Sequence, residues 1–508
     1  MKSSVGKGIV ILTISGVVCK ILGAFFRLPL TYILGIEGIG VFQLVMSLFS
    51  FALVLTSGGI SVTLSKLISS YRAQRQYGKI KWNIYIALMF SIVSSCVIGM
   101  CFLLLSKDIA FFQKTNDATF SYRLFFPLLL LSSLVALFRG VYQGYESMEP
   151  TAISQILEQL TKFVFGLLFA FVFVKFSVSL GVMGAFCGII IAEMLAFLYL
   201  YLIKSKVKLR RYKFKRGERK EFYSLLIPAT LSLAVSSFVH FFDGLVVLER
   251  LTNAGFSAEF GRSMFGLQTG VVGSIMNFPI IISFALATAI MPKLSFETAS
   301  KQDKSDKNIK NSFNLLWLTI LPITFGILAV CFPFYQMFYP FFDAKTLEYS
   351  IKLTALSSVA TICFAVMQFF ISILQAKGRF NYVFVSLILG GIGKILCTIF
   401  LCGNKDINIY GIPIGNIVFS LITLLLCLAK IKNLVTIDLN SFFLPLIASL
   451  VMLVVTGCFV AIVPIIPILK LVVGVAIGAV IYCSLTYPLI KSLVFYKFGH
   501  KRLRRRNE

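Results

Sequence analysis

The stretch IVILTISGVVCKILGAFFRLPLTYIL (9–34) runs for 26 residues and carries only two charges, Lys20 and Arg27. About 20 apolar residues cross a hydrocarbon core roughly 30 Å thick, so this run is long enough to span a membrane. It is too long for the h-region of a cleavable signal peptide and lacks a small-x-small cleavage site, so it is expected to stay in the protein. Working outward, similar runs recur to the end of the chain. The spans read as 8–34, 39–68, 83–106, 121–145, 151–174, 182–203, 222–249, 264–292, 312–341, 350–376, 381–402, 409–430, 441–463 and 469–490. Of the 508 residues, 58% are hydrophobic and 13% charged, against roughly 25% charged in a soluble domain. Backbone groups cannot stay unpaired in lipid, so the spans are expected to be helices. The short alternating strands of a closed barrel are absent. The expected fold is an all-α polytopic membrane protein of about 14 helices.

A net charge of +28 is of the size seen in nucleic-acid-binding proteins, but its placement points elsewhere. With the N-terminus inside, 32 of the 48 Lys and Arg residues fall on the inner side, 9 on the outer side and 7 within spans. Cytoplasmic loops carry such an excess of cations, so both termini are expected in the cytoplasm and no nucleic-acid partner is expected. The run KSKVKLRRYKFKRGERKE (204–221) reads as a cytoplasmic linker lying along anionic membrane lipid. The 11 cysteines form no CxxC and there are only two histidines, His240 and His500. Neither a metal site nor a cofactor is expected.

The linker also divides a duplication. YQG (142–144) is followed by Lys162, 19 residues after Gln143, and LQA (374–376) by Lys394, 19 residues after Gln375. GAFCG (184–188) then matches GIPIG (411–415), and Gln43 before SKL (65–67) matches Gln268 before PKL (292–294). The implied domains are a six-helix lobe over 1–203, the linker 204–221, a second six-helix lobe over 222–432, two further helices over 433–490 and a basic tail over 491–508. Six spans is an even number, so the repeat is parallel. Such repeats flank a substrate site and rock about it.

Ionised groups at membrane depth are functional candidates by default. The spans hold seven cations, Lys20, Arg27, Lys66, Arg123, Arg139, Lys162 and Lys394, against three acids, Glu158, Glu193 and Asp243. A cavity rich in cations suits an anion such as a diphosphate. Lys20 and Arg27 are two turns apart, about 10 Å along one face of the first helix, and form a candidate ladder for phosphate oxygens. Glu158 and Lys162 are spaced i,i+4, which allows a salt bridge or contact with a ligand. Lys162 and Lys394 sit at matching depths of the two halves, as a candidate pair across the pseudo-two-fold axis. Arg139 is a gate or headgroup candidate. Asp243, three residues after His240, suits a gate, ion coupling or a structural polar pair. Lys66 and Arg123 read as snorkelling side chains, and Glu193 has no assigned role. The last two helices either line a groove for a lipid tail or serve as packing.

KILGAFFRLPLTYILGIEGIG (20–40), SGGISVTLSKLIS (57–69) and RGVYQGYESMEPTAISQILEQ (139–159) resemble the stage V sporulation protein B family of polysaccharide-biosynthesis membrane proteins. That family belongs to the multidrug/oligosaccharidyl-lipid/polysaccharide exporter superfamily and is related to the MurJ-type lipid II flippases. The resemblance implies alternating access by two six-helix lobes and transport of an undecaprenyl-diphosphate-linked, anionic sugar precursor. It also implies that the first-helix cations Lys20 and Arg27 are required. From their charge at depth, Arg139, Lys162 and Lys394 are expected to join them at the headgroup, and Glu158 and Asp243 to serve gating or ion coupling. The related flippases carry further cavity arginines on helices 2 and 8; here span 2 has none, and span 8 has none after Arg262. Two rival readings are an ion-coupled multidrug exporter, which needs cavity acids, and a membrane lipid-sugar transferase, which needs an acid/base cluster in the short outer loops.

Overall fold

The structure is a computed structural model that describes residues 2–203, 217–282, 305–377, 379–431 and 440–504. Residues 204–216 of the basic linker, the last ten of the eighth span with its PKL motif (292–294), and the tail after Arg504 lie outside the described residues. Among the described residues every regular element is a helix. Thirteen helices are long and apolar enough to cross a membrane. One of them, Ile14–Ala73, is 60 residues long. At 1.5 Å per residue that is about 90 Å of helix, enough for two crossings. The chain is thus a multi-pass membrane protein, with 14 spans among the described residues.

Helix α1 (Lys2–Ser57) is interrupted at Gly35, whose φ of 72° and ψ of 178° are not helical. That conformation is open to glycine and closed to most side chains, so a single residue separates the first two spans. The second span continues into α2 (Ile60–Ala73) after Gly58 and Gly59. Then come α3 (Tyr77–Leu104), two short helices α4 (Ser106–Phe112) and α5 (Thr119–Arg123), α6 (Phe125–Gly144), α7 (Glu149–Val174) and α8 (Val178–Leu202). The next helices are α9 (Gly217–Asn253) and α10 (Ala258–Ile282), the latter with a π-helical stretch at Leu267–Val272. Six more follow: α11 (Ser305–Phe338), α12 (Ala344–Ala376), α13 (Phe380–Cys402), α14 (Gly411–Ile431), α15 (Asn440–Ile462) and α16 (Pro467–Arg504). Side-chain caps start three helices: Ser177, Ser257 and Asp343 accept the backbone N–H groups of Leu180, Phe260 and Thr346 at 3.1, 3.1 and 3.2 Å.

The chain forms two compact units. One holds Met1–Ser274 with Lys394–Ile412. Its core is built on Phe26, Phe42, Phe49, Phe125 and Phe186, with ring centroids 5.4 Å apart for Phe42–Phe186 and 5.3 Å for Phe49–Phe125. Glycines let helices approach closely: Gly166 and Gly188 bring the backbones of α7 and α8 together, and Gly40 and Gly266 do so for α1 and α10. The other unit holds Ile275–Gly393 with Pro413–Glu508. Its core gathers Phe313, Trp317, Phe369 and Phe370. The two final helices pack on α11 there, with the Tyr482 hydroxyl donating to the Leu318 carbonyl at 2.9 Å. Many large apolar side chains, such as Leu425, Val454 and Val480, face outward, as expected where the solvent is lipid.

Candidate functional site

The half of α1 before Gly35 lays Lys20 and Arg27 alongside α7. Lys20 is exposed and Arg27 half-buried. From α7 the Lys162 ammonium sits over the Phe26 ring, 5.0 Å from its centroid. Arg27, Glu158 and Glu193 all act electrostatically on Lys162. Gly166 leaves room for this: a side chain there would crowd the Phe26 ring. From α6, Arg139 donates from Nη2 to Glu158 Oε2 at 2.7 Å and from Nε to Ser154 Oγ at 3.0 Å. The i,i+4 spacing of Glu158 and Lys162 therefore does not decide the ion pair; the acid reaches across to Arg139 instead. Glu158 Oε1 accepts from the Gln159 amide at 3.2 Å. The stripe Gln155, Glu158, Gln159 and Lys162 shares one face of α7, since the spacings are three, four and seven residues.

Glu193, on α8, is a second acid of this group. Glu158, Arg139 and Lys162 act on it electrostatically, and its Oε1 accepts the Ser132 hydroxyl at 2.7 Å. Sequence reasoning left Glu193 without a role, because nothing near it in the chain indicates its neighbours on α6 and α7.

Lys394 and Asp243 form a separate pair. Lys394 Nζ lies 2.6 Å from Asp243 Oδ2, with side-chain exposures of 1% and 5%. In this conformation the ammonium is spent on a carboxylate. His240, one turn before Asp243, is exposed, and Lys394 acts on it electrostatically. Of the cations read as snorkelling, Lys66 is exposed, while Arg123 donates to Ser106 Oγ at 3.2 Å and lies over the Phe120 ring.

A further cluster was not anticipated. Arg262 on α10 binds Glu37 Oε1 through Nε at 2.9 Å and Nη2 at 2.6 Å, and gives Nη1 to the Lys114 carbonyl at 2.7 Å. Lys114 in turn donates to the Thr252 hydroxyl. The sequence signal available was the GIEGIG stretch (35–40), whose lone acid follows the Gly35 break by two residues. The paired motifs Gln43 and Gln268 are both buried, and Gly270 packs against Ile39 and Gln43. Among the described residues no group of three or more His, Cys, Asp or Glu is placed to hold a metal.

Residues 5–297 match the family model described as polysaccharide biosynthesis protein. Stage V sporulation protein B of Bacillus subtilis (strain 168) is 27% identical over 303 residues, covering 57% of this chain. The chain spans 58% of that relative's length. Lipid II flippase MurJ of the same strain is 23% identical over 433 residues, covering 78% of this chain and 77% of its own. Among solved structures, a lipid II flippase MurJ in an inward closed conformation superposes with a TM-score of 0.75 at 16% identity, over 96% of this chain and all of the other. An inward-facing multidrug resistance MATE family transporter of the MOP superfamily gives 0.66 at 15% identity, over 83% of this chain and 95% of its own. The fold is therefore the one these transporters share, and with more than half of its residues inside the family match, the chain belongs to the polysaccharide biosynthesis protein family.

Proposed function

We propose that this chain is a flippase that carries an undecaprenyl-diphosphate-linked cell-wall or polysaccharide precursor across the cytoplasmic membrane by alternating access. The observation that carries this reading is the gathering of Arg27, Arg139 and Lys162 in the membrane interior, with Glu158 as the acid that is ion-paired among them. Such a cluster is costly in lipid unless it meets an anion, and guanidinium groups suit the oxygens of a diphosphate. Lys20, exposed and two turns before Arg27, extends the cluster along α1. On this reading 1–203 and 222–432 are the moving lobes, both termini lie in the cytoplasm, and the prenyl tail stays in lipid or against the two last helices. The Asp243–Lys394 pair then serves the gate, and Lys394 reaches the headgroup only when that pair opens.

An ion-coupled drug exporter is the second reading, with Asp243 as its coupling acid. The ammonium at 2.6 Å already neutralises that carboxylate, which favours the flippase. The test is a leaflet-resolved assay of lipid-linked precursor in cells depleted of the protein and supplied with the K20A/R27A double variant. The variant is expected to insert at the normal level and to leave precursor in the inner leaflet. Precursor reaching the outer leaflet at the wild-type rate removes the reading.

A further inference from the structure

Glu193 lies within the α8 span with its side chain buried. Ser132 donates to its Oε1 at 2.7 Å, while its Oε2 is buried with no hydrogen-bond partner. The cations that act on it are turned elsewhere: Arg139 to Glu158 and Ser154, Lys162 to the face of Phe26. The charged groups facing Glu193 from α6 and α7 are thus Arg139, Glu158 and Lys162. From α1, Arg27 reaches this group through Lys162. The remaining neighbours of α8 are α5, whose Arg123 points to Ser106 and Phe120, and the 3-10 turn Asn116–Ala118, which carries Asp117.

An ionised carboxylate here would keep one buried oxygen without a hydrogen-bond donor, with a second carboxylate, Glu158, acting on it. The neutral acid loses far less on burial. We infer that Glu193 is a proton-binding site, protonated in this conformation, whose proton sets the positive charge that Arg27, Arg139 and Lys162 present to an anionic ligand. With the proton in place, three cations stand against one carboxylate, Glu158. Without it they stand against two. Proton and anion therefore favour each other's binding, and the linkage is reciprocal. The proton comes from water and returns to it. The choice of a lipid diphosphate as the anion rests on the flippase reading; the proton site does not.

The experiment compares wild type with E193Q, in which the amide keeps an acceptor for Ser132 and stands for the protonated acid. Binding of farnesyl diphosphate to detergent-purified protein is measured across pH. Raising the pH ionises Glu193 and weakens wild-type binding, by up to about tenfold per pH unit, the limiting slope for one coupled proton. E193Q is expected to hold the low-pH affinity and to lose that proton from the slope; the probe's own ionisation is common to both proteins. A merely structural role would instead lower affinity at every pH. Equal slopes in the two proteins overturn the inference. Infrared spectroscopy forms the second arm. At neutral pH, wild type should show a buried carboxylic-acid C=O band that E193Q lacks, and identical spectra overturn the proposal whatever binds. If neither protein binds the diphosphate but the band is present, the flippase reading falls and the proton site stands.

Discussion

Lys394 shows how much one side chain can depend on another. Its ammonium is sealed in the protein and lies 2.6 Å from Asp243 Oδ2, while Asp243 Oδ1 has no hydrogen-bond partner. The pair is thus poorly supplied with further donors. Removing one partner of a buried pair leaves an uncompensated charge at a cost of about 3–5 kcal/mol, whereas replacing both by apolar groups is often neutral. K394A is accordingly expected to lower the unfolding midpoint in detergent sharply, and K394M/D243L to recover most of that loss. A double variant no more stable than K394A would show that the pair does not act as a unit. The sequence located both residues as ionisable groups at depth but not as partners, because they are 151 positions apart in the chain. The same limit applies to Glu158: helical spacing offered Lys162, and the fold supplied Arg139 from α6. Local periodicity shows which groups share a helix face; it does not show which neighbouring helix brings the better donor.

At the scale of the helices, apolar length was enough to find the spans, because lipid allows the backbone no alternative to internal hydrogen bonds. The breaks were harder to read. The second span was expected to run from 39 to 68 without interruption, yet α2 restarts after Gly58–Gly59, where Gly59 lies against the Leu226 carbonyl and Thr230 of α9. Helices α4 and α5 were invisible as separate elements, since 7 and 5 residues carry too little periodicity to register. Gly35 gives the sharpest test of a break. A side chain there would meet nothing within 4 Å, so the whole effect of a substitution lies in the backbone at φ 72°. Gly35→Ala is expected to destabilise the protein by about 1–3 kcal/mol, read as a lower thermal midpoint in detergent. An unchanged midpoint would mean that the chain turns between its first two spans without using that conformation.

Across the whole molecule, charge in the loops is what sets the two sides apart in the sequence. The sequence places 32 Lys and Arg on one side and 9 on the other, and an even number of spans puts both termini on the same side. The charge bias then assigns each loop an expected side. By the positive-inside rule the turn at 74–76, between α2 and α3, is expected inside, and the loop at 403–407, between α13 and α14, outside. By the same rule the Glu37–Arg262–Lys114 cluster and the Gly35 break are expected on the outer side with that loop. Gln74 and Asn404 are both exposed, so each can report its side in a background with the 11 native cysteines replaced. A membrane-impermeant thiol reagent is expected to label Asn404→Cys in intact cells and Gln74→Cys only after permeabilisation. The opposite pattern would invert the protein. A precursor loaded from the cytoplasm would then meet the Glu37–Arg262 side first, and the path through Lys20 and Arg27 would have to be read in reverse.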